Sequence, residues 1–207
     1  MMVTITAIER GRPDPRSRVI LHDDEALAVT SKAVVEDLGL DVGVSCTVEE
    51  LQDMIRAAEP GCARARALKA IERRDRSSTE LCRRLIDEGF SQQAAREAVD
   101  ALIEVGLVDD RRLAESIART AQDVKGWGDR RIREYLWQRG LAHLADEIIS
   151  GPLVQPEDER AYEAAQRLCR SSMTADRLAQ RLVRRGFAWS TARAAAVSVL
   201  DSGSSRS

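Results

Sequence analysis

Aromatic residues are scarce: three Trp, two Tyr and two Phe make up 3% of the 207 residues. A core so poor in them must be built mainly from Leu, Ala, Val and Ile, and small side chains of this kind let helices approach closely. Ala and Leu also favour the helical state. No run of about 18 apolar residues exists, which excludes a hydrophobic spanning helix. The start MMVTITAIERGR has charges where a signal peptide needs its apolar stretch. Cys46, Cys62, Cys82 and Cys169 contain no CxxC pair and no regular spacing, so they read as reduced thiols in a cytoplasmic protein. Lysine is rare as well. Only Lys32, Lys69 and Lys125 occur, so nearly all positive charge is guanidinium, which suits carboxylate and phosphate partners.

The ingredients of an active centre are also missing. The two histidines, His22 and His143, lie far apart, and no Gly-x-Ser-x-Gly elbow, Walker sequence or dinucleotide fingerprint occurs. Asp109–Asp110 is the one acidic pair worth weighing against a metal site. Adjacent helical residues diverge by about 100°, and no third acid closes the pair, so it reads as a helix N-terminus where carboxylates meet spare N–H groups. The sequence therefore predicts no catalytic residue, no metal and no cofactor.

Charge is distributed unevenly. Residues 1–60 hold 6 basic against 12 acidic residues, whereas residues 61–207 hold 26 against 22. The acidic first part has its own character. VTITAIER (Val3–Arg10) alternates, GRPDPRS is a turn signal, RVIL (Arg18–Leu21) is β-branched, and Asp23–Asp24 reads as a tight turn before Ala26–Thr30. This predicts a small antiparallel sheet. A short helix should follow from Ser31 to Gly39. A second should open at the Thr47/Glu50 capping box and end at Pro60–Gly61.

From Cys62 the pattern is helical and repeats. ELCRRLIDEGF (Glu80–Phe90), RIREYLWQRGL (Arg131–Leu141) and RLAQRLVRRGF (Arg177–Phe187) align without gaps. They share Leu81-Leu85-Gly89-Phe90, Ile132-Leu136-Gly140-Leu141 and Leu178-Leu182-Gly186-Phe187, with the glycines 51 and 46 positions apart. Residues four apart stack on one helix face, and a glycine one turn later can take the left-handed conformation that ends the helix. Helices flank each copy, so the fold class is mostly α. It should comprise three tandem three-helix repeats in an elongated helical array, preceded by a small β-containing N-terminal extension. The divisions are 1–60 for the extension, 61–106, 107–152 and 153–201 for the repeats, and 202–207 for a disordered tail.

The arginine clusters are the candidate binding residues: Arg73, Arg74 and Arg76; Arg83 and Arg84; Arg111 and Arg112; Arg130, Arg131 and Arg133; Arg184 and Arg185. They recur beside equivalent helices, although solvated faces paired with Glu and Asp would give the same pattern. Within the Asp123–Gly128 link, Lys125 and Trp127 join the candidates. Trp127 stands between two glycines, either folded over a helix end or offered to a partner. Trp137 and Trp189 read as packing residues.

Taken in order, these motifs resemble the RecX family of bacterial regulators of the RecA recombinase. The resemblance rests on Arg76-Ser77 with Glu80-Leu81 and Leu85-x-x-x-Gly89-Phe90, then Gly106-Leu107-Val108-Asp109-Asp110 with Leu113-Ala114. Gly128-x-x-x-Ile132 with Leu136 and Gly140, and finally Arg184-Arg185-Gly186-Phe187, complete it. It spans at least Ala63–Leu200. Leu113 and Arg181 stand where the family usually has an aromatic. The resemblance implies a protein that lies along the RecA–single-stranded DNA filament and mostly inhibits its growth, ATP hydrolysis and strand exchange. With no nucleophile set beside a base, the chain is expected to be a non-enzyme, and a monomer is expected. Arg112, Arg130, Arg131 and Arg133, in the central unit, are expected to matter most. Two other readings stay open: a stand-alone helical DNA-binding protein, and a helical adaptor for another acidic protein.

Overall fold

The computed structural model describes residues 2–12, 14–170 and 173–204. It divides into two compact units, Met1–Asp109 and Asp110–Ser207.

In the first unit the alternating start forms two strands instead of one. β1 (Met2–Thr4) pairs antiparallel with β5 (Ser45–Thr47), and β2 (Ala7–Arg10), β3 (Ser17–His22) and β4 (Glu25–Ser31) form an antiparallel meander. The chain changes sheets at Ile5, which is fully buried; its N–H donates to the Val44 carbonyl and its own carbonyl accepts from Gly43 N–H, each at 2.9 Å. Asp23 and Asp24 have φ of 47° and 67°, the pair of left-handed residues that a two-residue hairpin turn requires.

Ser31 caps α1 (Lys32–Asp37) through Val34 N–H. Thr47 and Glu50 form the expected capping box at the start of α2 (Val48–Ile71). That helix does not end at Pro60–Gly61 but continues for another ten residues. A proline inside a helix removes one backbone hydrogen bond and costs about 3 kcal/mol. The buried face outweighs that cost: Leu51, Ile55, Glu59, Ala63 and Ala67 repeat every four residues on both sides of Pro60. Ser77 and Glu80 form a second capping box ahead of α3 (Ser78–Asp87), and Ser91 caps α4 (Gln92–Glu104). One core runs from Ile5 and Ile20 through Leu51 and Ala67 to Leu85 and Leu102. The sheet thus has no core separate from that of the first three-helix repeat.

In the second unit, α5 (Asp110–Thr120) runs into a π turn at Ala121–Lys125, so part of the expected link is helical; Gly126, at φ 57°, closes it. α6 (Asp129–Gln138) is followed by a 3-10 turn (Ala142–Leu144) and α7 (Ala145–Ser150). α8 (Glu157–Leu168), α9 (Ala175–Arg184) and α10 (Trp189–Ser204) form the last repeat. Residues 202–204, expected in an unstructured tail, belong to α10; residues 205–207 lie outside the described residues. Two further cores centre on Ile132, Leu136 and Leu141, and on Leu178, Leu182 and Phe187.

The three middle helices, α3, α6 and α9, end alike. Gly89, Gly140 and Gly186 have φ of 95°, 73° and 94°. In each copy the residue after the glycine donates its N–H to the leucine carbonyl five positions back: Phe90 to Leu85 at 3.2 Å, Leu141 to Leu136 at 2.8 Å, Phe187 to Leu182 at 3.3 Å. This closure satisfies a terminal carbonyl and folds an apolar side chain over the last turn.

Candidate functional site

The candidate arginines fall into two groups, those the fold uses and those it leaves facing solvent. In the first unit, Arg74 pairs with Glu80 at 3.4 Å, and Arg76 Nε donates to the Ala70 carbonyl at 3.2 Å. Arg84 meets Glu88 at 3.1 Å. Arg73, beyond α2, and Arg83, on α3, are exposed and form no ion pair among the described residues.

In the second unit, Lys125, Trp127, Arg130, Arg131, Arg184 and Arg185 come together where the start of α6 meets the end of α9. Gly128 N–H donates to the Arg185 carbonyl at 2.9 Å, and Arg130 N–H donates to the Gly186 carbonyl at 3.2 Å. The side chains of Arg130 and Arg131 donate to the carbonyls of Val183 (3.0 Å) and Arg184 (3.3 Å). Cations suit a helix C-terminus, where unpaired carbonyls concentrate negative potential. Arg185 returns the contact by donating to the Lys125 carbonyl at 2.7 Å. A glycine is required on both sides: a Cβ on Gly128 would stand 2.3 Å from Phe187 N, and one on Gly186 would stand 2.5 Å from Arg131 Cβ.

Trp127 is folded against its own unit and partly buried. It lies edge-on to Tyr135 with ring centroids 5.5 Å apart, beneath Lys125 Nζ at 4.4 Å and beside the Arg131 guanidinium at 4.8 Å. Elsewhere on this unit Arg111 pairs with Glu147 at 2.7 Å and Glu115 at 3.3 Å, which raises the Arg111 pKa above its usual value, and Arg133 pairs with Asp146 at 3.0 Å. Arg112 and Arg184 are exposed.

Three buried charges escaped the sequence reading, and the first, Glu59, accepts from Ser91 N–H at 3.2 Å and from the Ser91 hydroxyl at 2.6 Å. Glu88, 2% exposed, accepts from Arg66 Nε at 2.8 Å, pairs with Arg84, and is hydrogen-bonded by Arg16 Nη1. Arg160, 4% exposed, donates to the carbonyls of Trp127 (2.7 Å) and Gln155 (2.9 Å) and pairs with Asp129. Nothing local marks Glu88 or Arg160. Glu88 resembles any charge in a helical last turn, and Arg160 follows a run of acids in α8. Trp137 and Trp189, read as packing residues, are 69% and 50% exposed. Trp137 follows Leu136 by one position and so sits about 100° from the buried stripe.

The four cysteines are free. Burial is the main cause that pushes the Cys46 and Cys62 thiols up from their usual value, with Asp37 adding to it at Cys62. Both are thereby held in the unreactive thiol form.

Residues 63–102 match the family model described as "RecX, first three-helix domain", and residues 109–147 match "RecX, second three-helix domain". A regulatory protein RecX of Lactobacillus johnsonii is 27% identical over 170 residues, which cover 82% of this chain and 61% of that protein. One from Mycobacterium sp. (strain KMS) is 30% identical over 144 residues, or 63% of this chain and 77% of that protein. A crystal structure of regulatory protein RecX superposes with a TM-score of 0.55 at 21% identity, covering 91% of this chain and 96% of that one. Order, spacing and fold thus agree, and the chain belongs to the RecX family.

Proposed function

We propose that this chain binds the RecA–single-stranded DNA filament and modulates it, chiefly by inhibiting filament growth, ATP hydrolysis and strand exchange. Family membership supports the regulatory role. The observation that carries the proposal is the threefold recurrence of one glycine-terminated helix, each copy seated in its own hydrophobic core. A partner that repeats along its length is matched by a binder that repeats. Arg83 and Arg184 lie on two of these middle helices with exposed guanidinium groups and no ion pair among the described residues, so they are available to carboxylates of the recombinase or to phosphates. Arg130 and Arg131 share their hydrogen-bonding capacity with the end of α9, so neutralising them perturbs the fold as well as the surface.

The test is purified chain added to RecA, single-stranded DNA and ATP, with filament length and hydrolysis followed together. Shortened filaments and slowed hydrolysis are expected. An Arg83→Gln/Arg184→Gln chain should inhibit more weakly, with a smaller dependence on salt. Unchanged filament length and hydrolysis at excess protein would refute the proposal.

A further inference from the structure

Two tryptophans at α6 have opposite fates. Trp127, just before the helix, has its ring engaged by Tyr135, Lys125 and Arg131. Trp137, near the end of the helix, is 69% exposed and has no ring or cation partner among the described residues. The helical spacing that buries Ile132 and Leu136 turns Trp137 outward.

The surroundings of this indole are charged. At about 100° per residue, Arg130 and Arg133 lie within about 40° of Trp137 around the helix. They sit about 10 and 6 Å back along its axis. Of the exposed charges of α6, Arg130 and Arg133 lie on this side with Glu134 about 60° away, and Arg131 lies about 120° round the helix. Asp146 reaches Arg133 at 3.0 Å, but it is 89% exposed, and such a pair contributes little and yields to a competing anion. Arg130 spends one Nη on the Val183 carbonyl and keeps its other donors. No other large hydrophobic residue of α6 or α7 is exposed among the described residues.

An isolated indole in a field of guanidinium groups is a poor anchor for a protein, which needs a desolvated apolar surround. It is a good platform for a base, whose flat face stacks on the ring while flanking arginines meet the phosphates. We propose that Trp137 stacks an unpaired base of single-stranded DNA, with Arg133 and Arg130 taking phosphates on its N-terminal side. The inference rests on the filament reading only for the identity of the nucleic acid, and it is testable without the recombinase.

The experiment measures binding of the full chain to a labelled short oligothymidylate and to an abasic strand of equal length, at low salt, by fluorescence anisotropy. Trp137→Ala should weaken thymidylate binding about tenfold and leave abasic binding as it was, with unchanged helicity by circular dichroism. Trp137→Phe should restore most of the loss. Arg133→Gln should weaken both strands and flatten the salt dependence. Equal affinity of native and Trp137→Ala chains for thymidylate, or an equal loss on both strands, overturns the stacking assignment. Native chain that prefers thymidylate through Trp137 yet leaves RecA hydrolysis untouched sinks the filament reading alone. A Trp137→Ala chain that binds thymidylate like the native protein and still inhibits RecA sinks the stacking assignment alone.

Discussion

The ends of α3 and α9 obey one sequence rule and are seated by different chemistry. Each closes on a glycine, at φ 95° and 94°, and folds a phenylalanine back over its last turn. At α3 the residue before the glycine is Glu88, buried and held by arginines from the turn before β3, from α2 and from α3 itself. At α9 the equivalent residue is Arg185, and the contacts run from guanidinium groups and N–H donors to backbone carbonyls. In both places a Cβ on the glycine would collide with a neighbouring element: Ser17 Cβ and the Thr30 carbonyl at 2.7 Å for Gly89, Arg131 Cβ at 2.5 Å for Gly186. The repeated glycine therefore does two things. It ends a helix, and it lets that end approach another backbone.

Removing the acid at the first end should have the largest effect. Glu88→Ala leaves three guanidinium groups without their shared anion and is expected to lower stability by about 3 kcal/mol, read from the urea midpoint. Glu88→Gln should recover part of that by keeping the acceptor oxygen. A midpoint for Glu88→Ala equal to the native value would dissolve the contrast between the two ends.

At the second end the counterpart is Arg160, which holds the Trp127 and Gln155 carbonyls together with Asp129. Arg160→Met should cost about 2 kcal/mol and shift tryptophan emission to longer wavelength as Trp127 loosens. Emission that stays put would mean that the Trp127 link is held without it.

Gly89→Ala and Gly186→Ala should each cost about 2 kcal/mol, because a left-handed alanine is strained and its Cβ also collides. Gly106→Ala is the control. Its φ is 71° but nothing lies within 4 Å of the added Cβ, so only the backbone strain of about 1 kcal/mol applies. Equal losses at all three positions would remove the close-approach role.

The one expected gain belongs to Thr30, beneath Gly89. Its hydroxyl is buried with no hydrogen-bond partner among the described residues. Thr30→Val replaces it with an isosteric methyl that suits a strand and should gain about 1 kcal/mol, seen as a higher melting temperature. A loss would show that the hydroxyl is satisfied in solution.

The repeat was legible because its causes are local. Leu85, Leu136 and Leu182, marked by spacing alone, are all buried and occupy the same position in three separate cores. The capping boxes at Thr47 and Ser77 and the turn at Asp23–Asp24 were legible for the same reason. Pro60 misled because its penalty is local whereas the compensation comes from residues packed along the whole length of α2. The arginine clusters were visible as clusters, but which were internal was not: Arg130 meets a carbonyl 53 positions away.

The sequence by itself determined the helical rhythm, the glycine stops and a core built mainly of aliphatic residues, with Phe90 and Phe187 as its buried aromatics, since spacing, capping and composition are read from the chain directly. Only the tertiary structure decided that β1 and β5 pair, that Glu88 gathers Arg16 from 72 positions away, and that Trp127 is engaged while Trp137 faces water. Burial and pairing of charge are properties of distant chain brought close, and no local pattern records which segments will meet.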